Sequence, residues 1–202
     1  MNKWIPLLLL LAVSAGADED ILMQRIIALE KRVAQLENQL KPVLDEERIK
    51  KVAEEQKLLA RDRMMLDGEY LSRFDLNLIE KAYQTGSRDW TTEEAAKAFK
   101  LLTEKYPKAN RTGCAVLGMA QAKNGREQIE LLEKAIAQHG GCFYASGVNV
   151  GAYARLYLGL RYYRDDKKEQ AAKWFEDLKT NFPEAIDHKG QLLTAHLAGL
   201  EG

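Results

Sequence analysis

Between Leu22 and Val43 the large apolar residues fall at Leu22, Ile26, Leu29, Val33, Leu36, Leu40 and Val43, alternately four and three positions apart. That spacing gathers them into one narrow seam on an α-helix and would scatter them on a strand, so the segment is helical and its seam needs a covering helix. Ile26, Val33 and Leu40 take the a positions of a heptad, and Leu22, Leu29, Leu36 and Val43 the d positions. Arg25 and Arg32 then fall at g, and Glu30 and Glu37 at e, where an arginine of one chain reaches a glutamate of a parallel neighbour. The helix either pairs in this way with copies of itself or lies amphipathically on its own domain. The composition suits helices throughout: of 202 residues 46% are hydrophobic, 30% are charged and 4 are proline.

The blocks Arg25-Ile26-Ile27-Ala28-Leu29-Glu30 and Arg32-Val33-Ala34-Gln35-Leu36-Glu37 resemble the pattern of short parallel trimers: an arginine, a hydrophobic residue, two further residues, a hydrophobic residue and a glutamate. That resemblance implies a homotrimer built by residues 18–44. Pro42 removes a backbone hydrogen bond and crowds the preceding turn, at about 3 kcal/mol or more, which predicts a kink or break near 40–44. Residues 45–75 read as a helical connector, with Glu46 and Lys50, and Glu47 and Lys51, at i,i+4 spacing. Ile49, Val52, Leu59 and Leu66 continue a seam that carries Gln56 and Arg63 at core-like positions. The segment is thus either a weaker coil or a connector that docks on the next domain.

Residues 1–17 have the form of a secretory signal peptide: Lys3, an apolar block from Ile5 to Val13, and small residues Ala15 and Ala17 before the acidic Asp18-Glu19-Asp20. Cleavage is expected after Ala17, giving a periplasmic or otherwise secreted chain without a transmembrane anchor. Lys and Arg together number 30, as do Asp and Glu, so no basic field exists to hold nucleic acid.

Residues 76–202 carry an internal repeat. From Ala152 to Glu184, Leu158-Gly159, Tyr162, Ala171, Phe175, Leu178 and Pro183 stand at the offsets of a helix-turn-helix unit of roughly 34 residues. Gly159 and Ala171 are small where two helices cross, Tyr162 and Phe175 fill the space between them, and Asp165-Asp166 makes the turn. An earlier copy has Tyr83, a turn at Gly86-Ser87-Arg88-Asp89, then Ala95, Phe99, Leu102 and Pro107, with Thr91 or Thr92 as helix cap. A shortened copy between them has Leu117-Gly118, a turn at Asn124-Gly125, and Leu132, Ala135 and Ile136. It has Gln121 for the tyrosine and Gly140-Gly141 for the proline. The copies span about 76–109, 111–141 and 152–184, with a capping helix expected from Gln191 to Leu200. These motifs resemble the tetratricopeptide repeat, which makes the chain all-α: an N-terminal parallel coiled coil followed by a helical repeat array. The segment Gly141 to Gly151, with Cys142, Phe143 and Tyr144, is an insert in that pattern. It either crosses the groove of the array or covers the exposed end of the second repeat.

Chemistry-bearing residues are sparse. Cys114 and Cys142 become neighbours when the helices of the middle copy pair, and after export they form either a disulfide or two buried thiols. His139, His188 and His196 match no compact ligand spacing, so no metal site is expected. There is no phosphate loop and no nucleophile elbow, and the paired carboxylates lie on solvated faces or turns. Asn110-Arg111-Thr112 is a glycosylation tripeptide. A non-enzymatic protein without catalytic residues or cofactor is predicted. Its binding surface is expected where first helices line a groove, at Tyr153, Leu156, Leu160, Tyr163 and Arg164 in the third copy, unless these residues pack beneath the insert or the final helix.

Signal, trimeric coil and repeat array together resemble the periplasmic YbgF/CpoB family associated with the Tol–Pal system. The resemblance implies a scaffold for protein partners in the cell envelope that links outer-membrane constriction to cell-wall synthesis at division. The alternative is an adaptor of a secretion or outer-membrane assembly machinery.

Overall fold

Good helix formers without an internal glycine run from Ile21 to Asp67, and they carry one long helix, α1, assigned from Ile5 to Tyr70. The computed structural model describes residues 5–200, with side chains from Ile21 onward. The start of the expected signal peptide, and the side chains on which its cleavage pattern rests, lie outside the described residues. The chain divides into two units, Met1–Arg48 and Ile49–Gly202.

In the first unit Pro42 lies inside α1 without interrupting it, so the break expected at 40–44 does not occur. Every residue from Glu37 to Val43 is exposed. Water therefore reaches the Asn38 carbonyl that the proline leaves unbonded, and the helix continues past it. The seven seam residues from Leu22 to Val43 are each 49–63% exposed.

In the second unit the end of α1 is followed by six helices: α2 (Arg73–Arg88), α3 (Glu93–Lys105), α4 (Asn110–Ala122), α5 (Gly125–His139), α6 (Val150–Arg164) and α7 (Lys168–Asn181). They pack as consecutive pairs, α2 on α3, α4 on α5 and α6 on α7, and each pair begins one to three residues before the copy expected there. Capping explains the starts. Ser72 accepts from the Asp75 amide at 3.1 Å, Thr92 from Ala95 at 3.2 Å, and Asn149 from Ala152 at 2.8 Å. The turns at Asn124-Gly125 and Asp165-Asp166 fall where expected, with Gly125 at φ 63° and Asp166 at φ 56°. The first turn differs: α2 runs through Gly86 to Arg88, and Trp90 beyond it fills the joint. A Cβ on either Gly86 or Gly118 would meet the Trp90 ring at 2.3 Å, so both glycines serve close approach.

Three apolar clusters form the core, one between α2 and α3, one between α4, α5 and α6, and one between α6, α7 and the chain after it. Helix α4 is the most enclosed, with ten of its thirteen residues buried. The expected helix from Gln191 to Leu200 is instead a short 3₁₀ turn, Leu193–Leu197, behind an antiparallel bridge between Ile186 and Leu192.

That bridge repeats one formed earlier by Phe143 and Asn149. In the first loop Tyr144 N donates to Val148 O, Gly147 N to Tyr144 O and Val150 N to Cys142 O. In the second, Asp187 N donates to Gln191 O, Gly190 N to Asp187 O and Leu193 N to Ala185 O. Gly147 and Gly190 hold the same place with φ of 92° and 79°. The spacing from Cys142 to Ala185 is also that from the start of α5 to the start of α7. The insert is therefore part of a longer structural repeat.

Candidate interaction surfaces

Helix α1 enters the second unit through one face. Val52, Ala60 and Asp67 are buried, with Ile49, Gln56 and Arg63 partly buried between them. This face lies along the connections between helix pairs. A Cβ on Gly147 would sit 3.0 Å from the Gln56 and Lys57 backbone, and one on Gly190 would sit 3.8 Å from Ala53 Cβ. At its end Asp67 accepts from Arg63 Nη1 at 2.7 Å, Tyr70 Oη at 2.9 Å and the Asn110 amide at 2.7 Å. The last bond matters because α4 has no side-chain cap of its own, so α1 supplies one. Arg63 also donates to Lys108 O at 2.9 Å. The connector thus docks from Ile49 onward. Leu59 and Leu66, expected in its seam, are instead exposed.

Only part of the expected groove set lies together. Leu156 is 4% exposed and belongs to the core beside Ala171, Phe175, Leu193 and Leu197, with Leu160 and Tyr163 packed against the same cluster. These three face α7 and the final turn, which is the packing alternative read in the sequence. Leu156 is closed to a partner. Tyr163 also lines an open hollow of about 320 Å³ with Lys168, Ala172, Phe175 and Leu200. Arg164 is exposed.

Tyr153 packs against the same cluster and also against the one between α4, α5 and α6. Its ring lies 5.2 Å from that of Tyr157 and 5.6 Å from that of His188, and Tyr144 meets His188 edge-on at 4.9 Å. Tyr144 donates its hydroxyl to Cys114 O within α4 at 3.0 Å. Burial pushes its phenol well above the usual value of 10. On α2, Tyr83 carries Arg111 over its ring at 4.6 Å, and Arg111 pairs with Glu80 at 2.7 Å. The insert is thereby laid on the first helices, with Tyr144 against α4 and its neighbours. Tyr157 and His188 were not among the expected groove residues, because His188 is brought to Tyr144 and Tyr153 by a loop that shares only its glycine with the insert.

Asn110 shows how tightly the insert is held. It is fully buried, accepts from Phe143 N and donates to Phe143 O, both at 2.8 Å. The glycosylation tripeptide is therefore closed in the folded chain. Phe143 O also accepts from Cys114 Sγ at 3.3 Å. Both cysteines are free and buried, so the disulfide is not formed in this structure. Burial pushes both thiols up, with Arg111 opposing at Cys114 and Arg63 at Cys142. Such thiols are poor nucleophiles.

His188 Nδ1 lies 3.2 Å from Ser146 Oγ, while His196 Nε2 contacts Asp187 at 3.0 Å. The other Asp187 oxygen accepts the Lys189 and Gln191 amides at 2.8 and 2.9 Å, which shapes the second loop. Among the described residues no group of three His, Cys, Asp or Glu is placed to hold a metal, and no helix is long and apolar enough to cross a membrane. Compared with protein-family models, curated proteins and solved structures, the chain matches none of them.

Proposed function

We propose that this protein is an exported, non-enzymatic scaffold. Residues 18–44 assemble three parallel copies, and the helix-pair array of tetratricopeptide type binds protein partners in the cell envelope. The observation that carries this reading is the seam: seven large apolar residues in heptad register, each about half exposed or more, on a helix flanked by matched Arg and Glu. A single chain leaves that seam in water, and burying it between helices stabilises assembly by roughly 25 cal/mol per Å². Partners in the periplasm that couple outer-membrane constriction to cell-wall synthesis fit the family resemblance. The half-buried rings of Tyr83, Tyr153 and Tyr157 beside exposed His188 offer rigid amphipathic anchors for such a partner.

Sedimentation equilibrium of the chain from Asp18 tests assembly. A trimer is expected, and replacing Ile26 and Val33 with Asp should give a monomer with unchanged unfolding of residues 49–202. A wild-type monomer at all concentrations defeats the scaffold as drawn. A photo-cross-linker at position 188 in the native cell then identifies the pathway. Capture of division components supports the proposal, and capture of secretion or outer-membrane assembly proteins moves the chain to the adaptor class.

A further inference from the structure

The longer repeat is incomplete at its second occurrence. At its spacing α7 takes the place of α5, and Leu193 and Leu197 of the final 3₁₀ turn take the places of Val150 and Ala154 at the start of α6. All four residues are buried. In α6 the stripe continues every fourth residue to Leu158 and Tyr162, and it packs in one cluster with Ile129, Leu132 and Ile136 of α5. On α7 the stripe stops after Leu197. Gly199 stands where α6 has Leu156, and its φ of 89° turns the chain off the helical path. The places of Leu158 and Tyr162 therefore have no counterpart on α7 among the described residues. In their stead lies the open hollow of about 320 Å³, floored by Phe175 and rimmed by Tyr163, Ala172 and Leu200. Ala172, Phe175 and Lys179 line it from the places that Ile129, Leu132 and Ile136 hold in α5.

The packing of α6 on α5 states what fits there. Stacked repeats bury each unit's apolar face against the next, and a terminal face needs a cover whose outer side is polar. The cover of this hollow is helical, because a helix fills the same place one repeat earlier. It carries a large aliphatic and a large aromatic residue four apart, in the places of Leu158 and Tyr162, and polar residues on the side turned to water. A second copy is poorly equipped to supply it. From α2 to α7 the one large apolar side chain that is exposed is Phe74, and a copy seating its α1 on α7 would make a head-to-tail contact that does not close. We infer that the open end of the array, on α7 between Tyr163 and Leu200, seats an amphipathic helix of another protein that completes the last repeat. The inference rests on the array being a binder of protein partners, but at its end and not on its first helices.

The test uses the full exported chain and two lactam-bridged helical peptides, polar except at two places four apart, which hold leucine and tyrosine in one peptide and aspartate in the other. Fluorescence anisotropy of the labelled leucine–tyrosine peptide should saturate below about 1 mM, and the aspartate peptide should not bind. Ala172→Asp places a charge in the hollow and Ala172→Trp fills it. Each should weaken binding at least about tenfold while leaving the melting temperature and solution mass unchanged, and either variant alone suffices if the other misfolds. With a benzophenone in place of the tyrosine, the label should fall on residues 163–179. No saturation by about 1 mM, or equal binding to both Ala172 variants, overturns the inference. Labelling at Tyr83, Tyr153 or Tyr157 overturns it too, by placing the helix on the first helices of the array. A lower solution mass for Ala172→Asp has the same consequence, because it assigns the hollow to a second copy. A chain that is monomeric at all concentrations and still binds the peptide through α7 defeats the trimer and supports this inference.

Discussion

Asp67 concentrates more of the second unit's polar bonding than any neighbour on α1. It neutralises Arg63, takes the Tyr70 hydroxyl and caps α4 through the Asn110 amide, at 5% exposure. Removing one member of a buried pair leaves the other charged and unpaired, which costs about 3 kcal/mol or more. Asp67→Ala should lower the unfolding free energy by about that much in urea titrations, and Asp67→Asn, which keeps an oxygen for the α4 amide, by less. A change under about 0.5 kcal/mol for Asp67→Ala would show that the cap and ion pair contribute nothing net. His139 gives a pH dependence. Burial, with smaller effects from Lys134 and Arg63, holds its imidazole below the usual 6.5, and burial does the same for His188 against the pull of Asp187. The unfolded chain then binds more protons than the folded one just below pH 6.5, so stability rises with pH across that window and falls on acidification. The carboxyls of Asp177 and Asp187 are held below their usual range, and their contribution is lost only at lower pH, as it falls through their folded values. Urea midpoints measured across the window should drop toward acid, and His139→Gln should flatten the slope. An unchanged slope in that variant would remove His139 as the cause.

The two bridged loops make the same shape from different sequences, and their glycines separate two effects. Both stand at positive φ, which strains any residue with a Cβ by about 1–2 kcal/mol. Only Gly147 also faces backbone at 3.0 Å, whereas Gly190 has an ordinary contact at 3.8 Å. Gly147→Ala should therefore destabilise by about 1 kcal/mol more than Gly190→Ala in the same thermal assay. Equal losses would mean that α1 yields at that contact. The loops also mark where sequence reading stopped. Helices, the cap at Thr92 and the turns at Gly125 and Asp166 were legible because local chemistry fixes them. The recurrence was hidden because corresponding positions share only the glycine, and backbone hydrogen bonds carry the rest. The docked face of α1 was half legible. Gln56 and Arg63 were placed at core-like positions, but a strict heptad put Leu59 and Leu66 beside them. A straight helix drifts against that repeat, so Ala60 and Asp67 turn inward instead. Among the groove residues, Leu156 was misplaced because a helical pattern shows which residues share a face and not which neighbour covers it.

Residues 49–202 contain every buried side chain described in the chain, so its cooperative folding belongs to that unit. Deleting residues 1–48 removes a stretch of helix that is exposed from Ile21 to Arg48, and none of the three apolar clusters. The remaining chain should unfold in one transition with a melting temperature within about 3 °C of the full protein. Deleting residues 1–70 is a different change. It takes away Arg63 and Asp67, leaves the α4 amides without the acceptor that α1 provides, and uncovers Gly147, Cys142 and the loop around Gly190. The lost cap alone is worth about 1 kcal/mol, and the lost apolar contacts of Val52 and Ala60 add about 2–3 kcal/mol. For a domain of this size each kcal/mol corresponds to about 2–4 °C, so this deletion should lower the melting temperature by about 10 °C. Calorimetry of the two truncations beside the full chain separates the alternatives. If both fragments melt together, the end of α1 is only a tether. If the shorter one melts early while the longer one does not, α1 changes role along its length: its first part adds nothing to the stability of the domain, and its last part is a structural member of it.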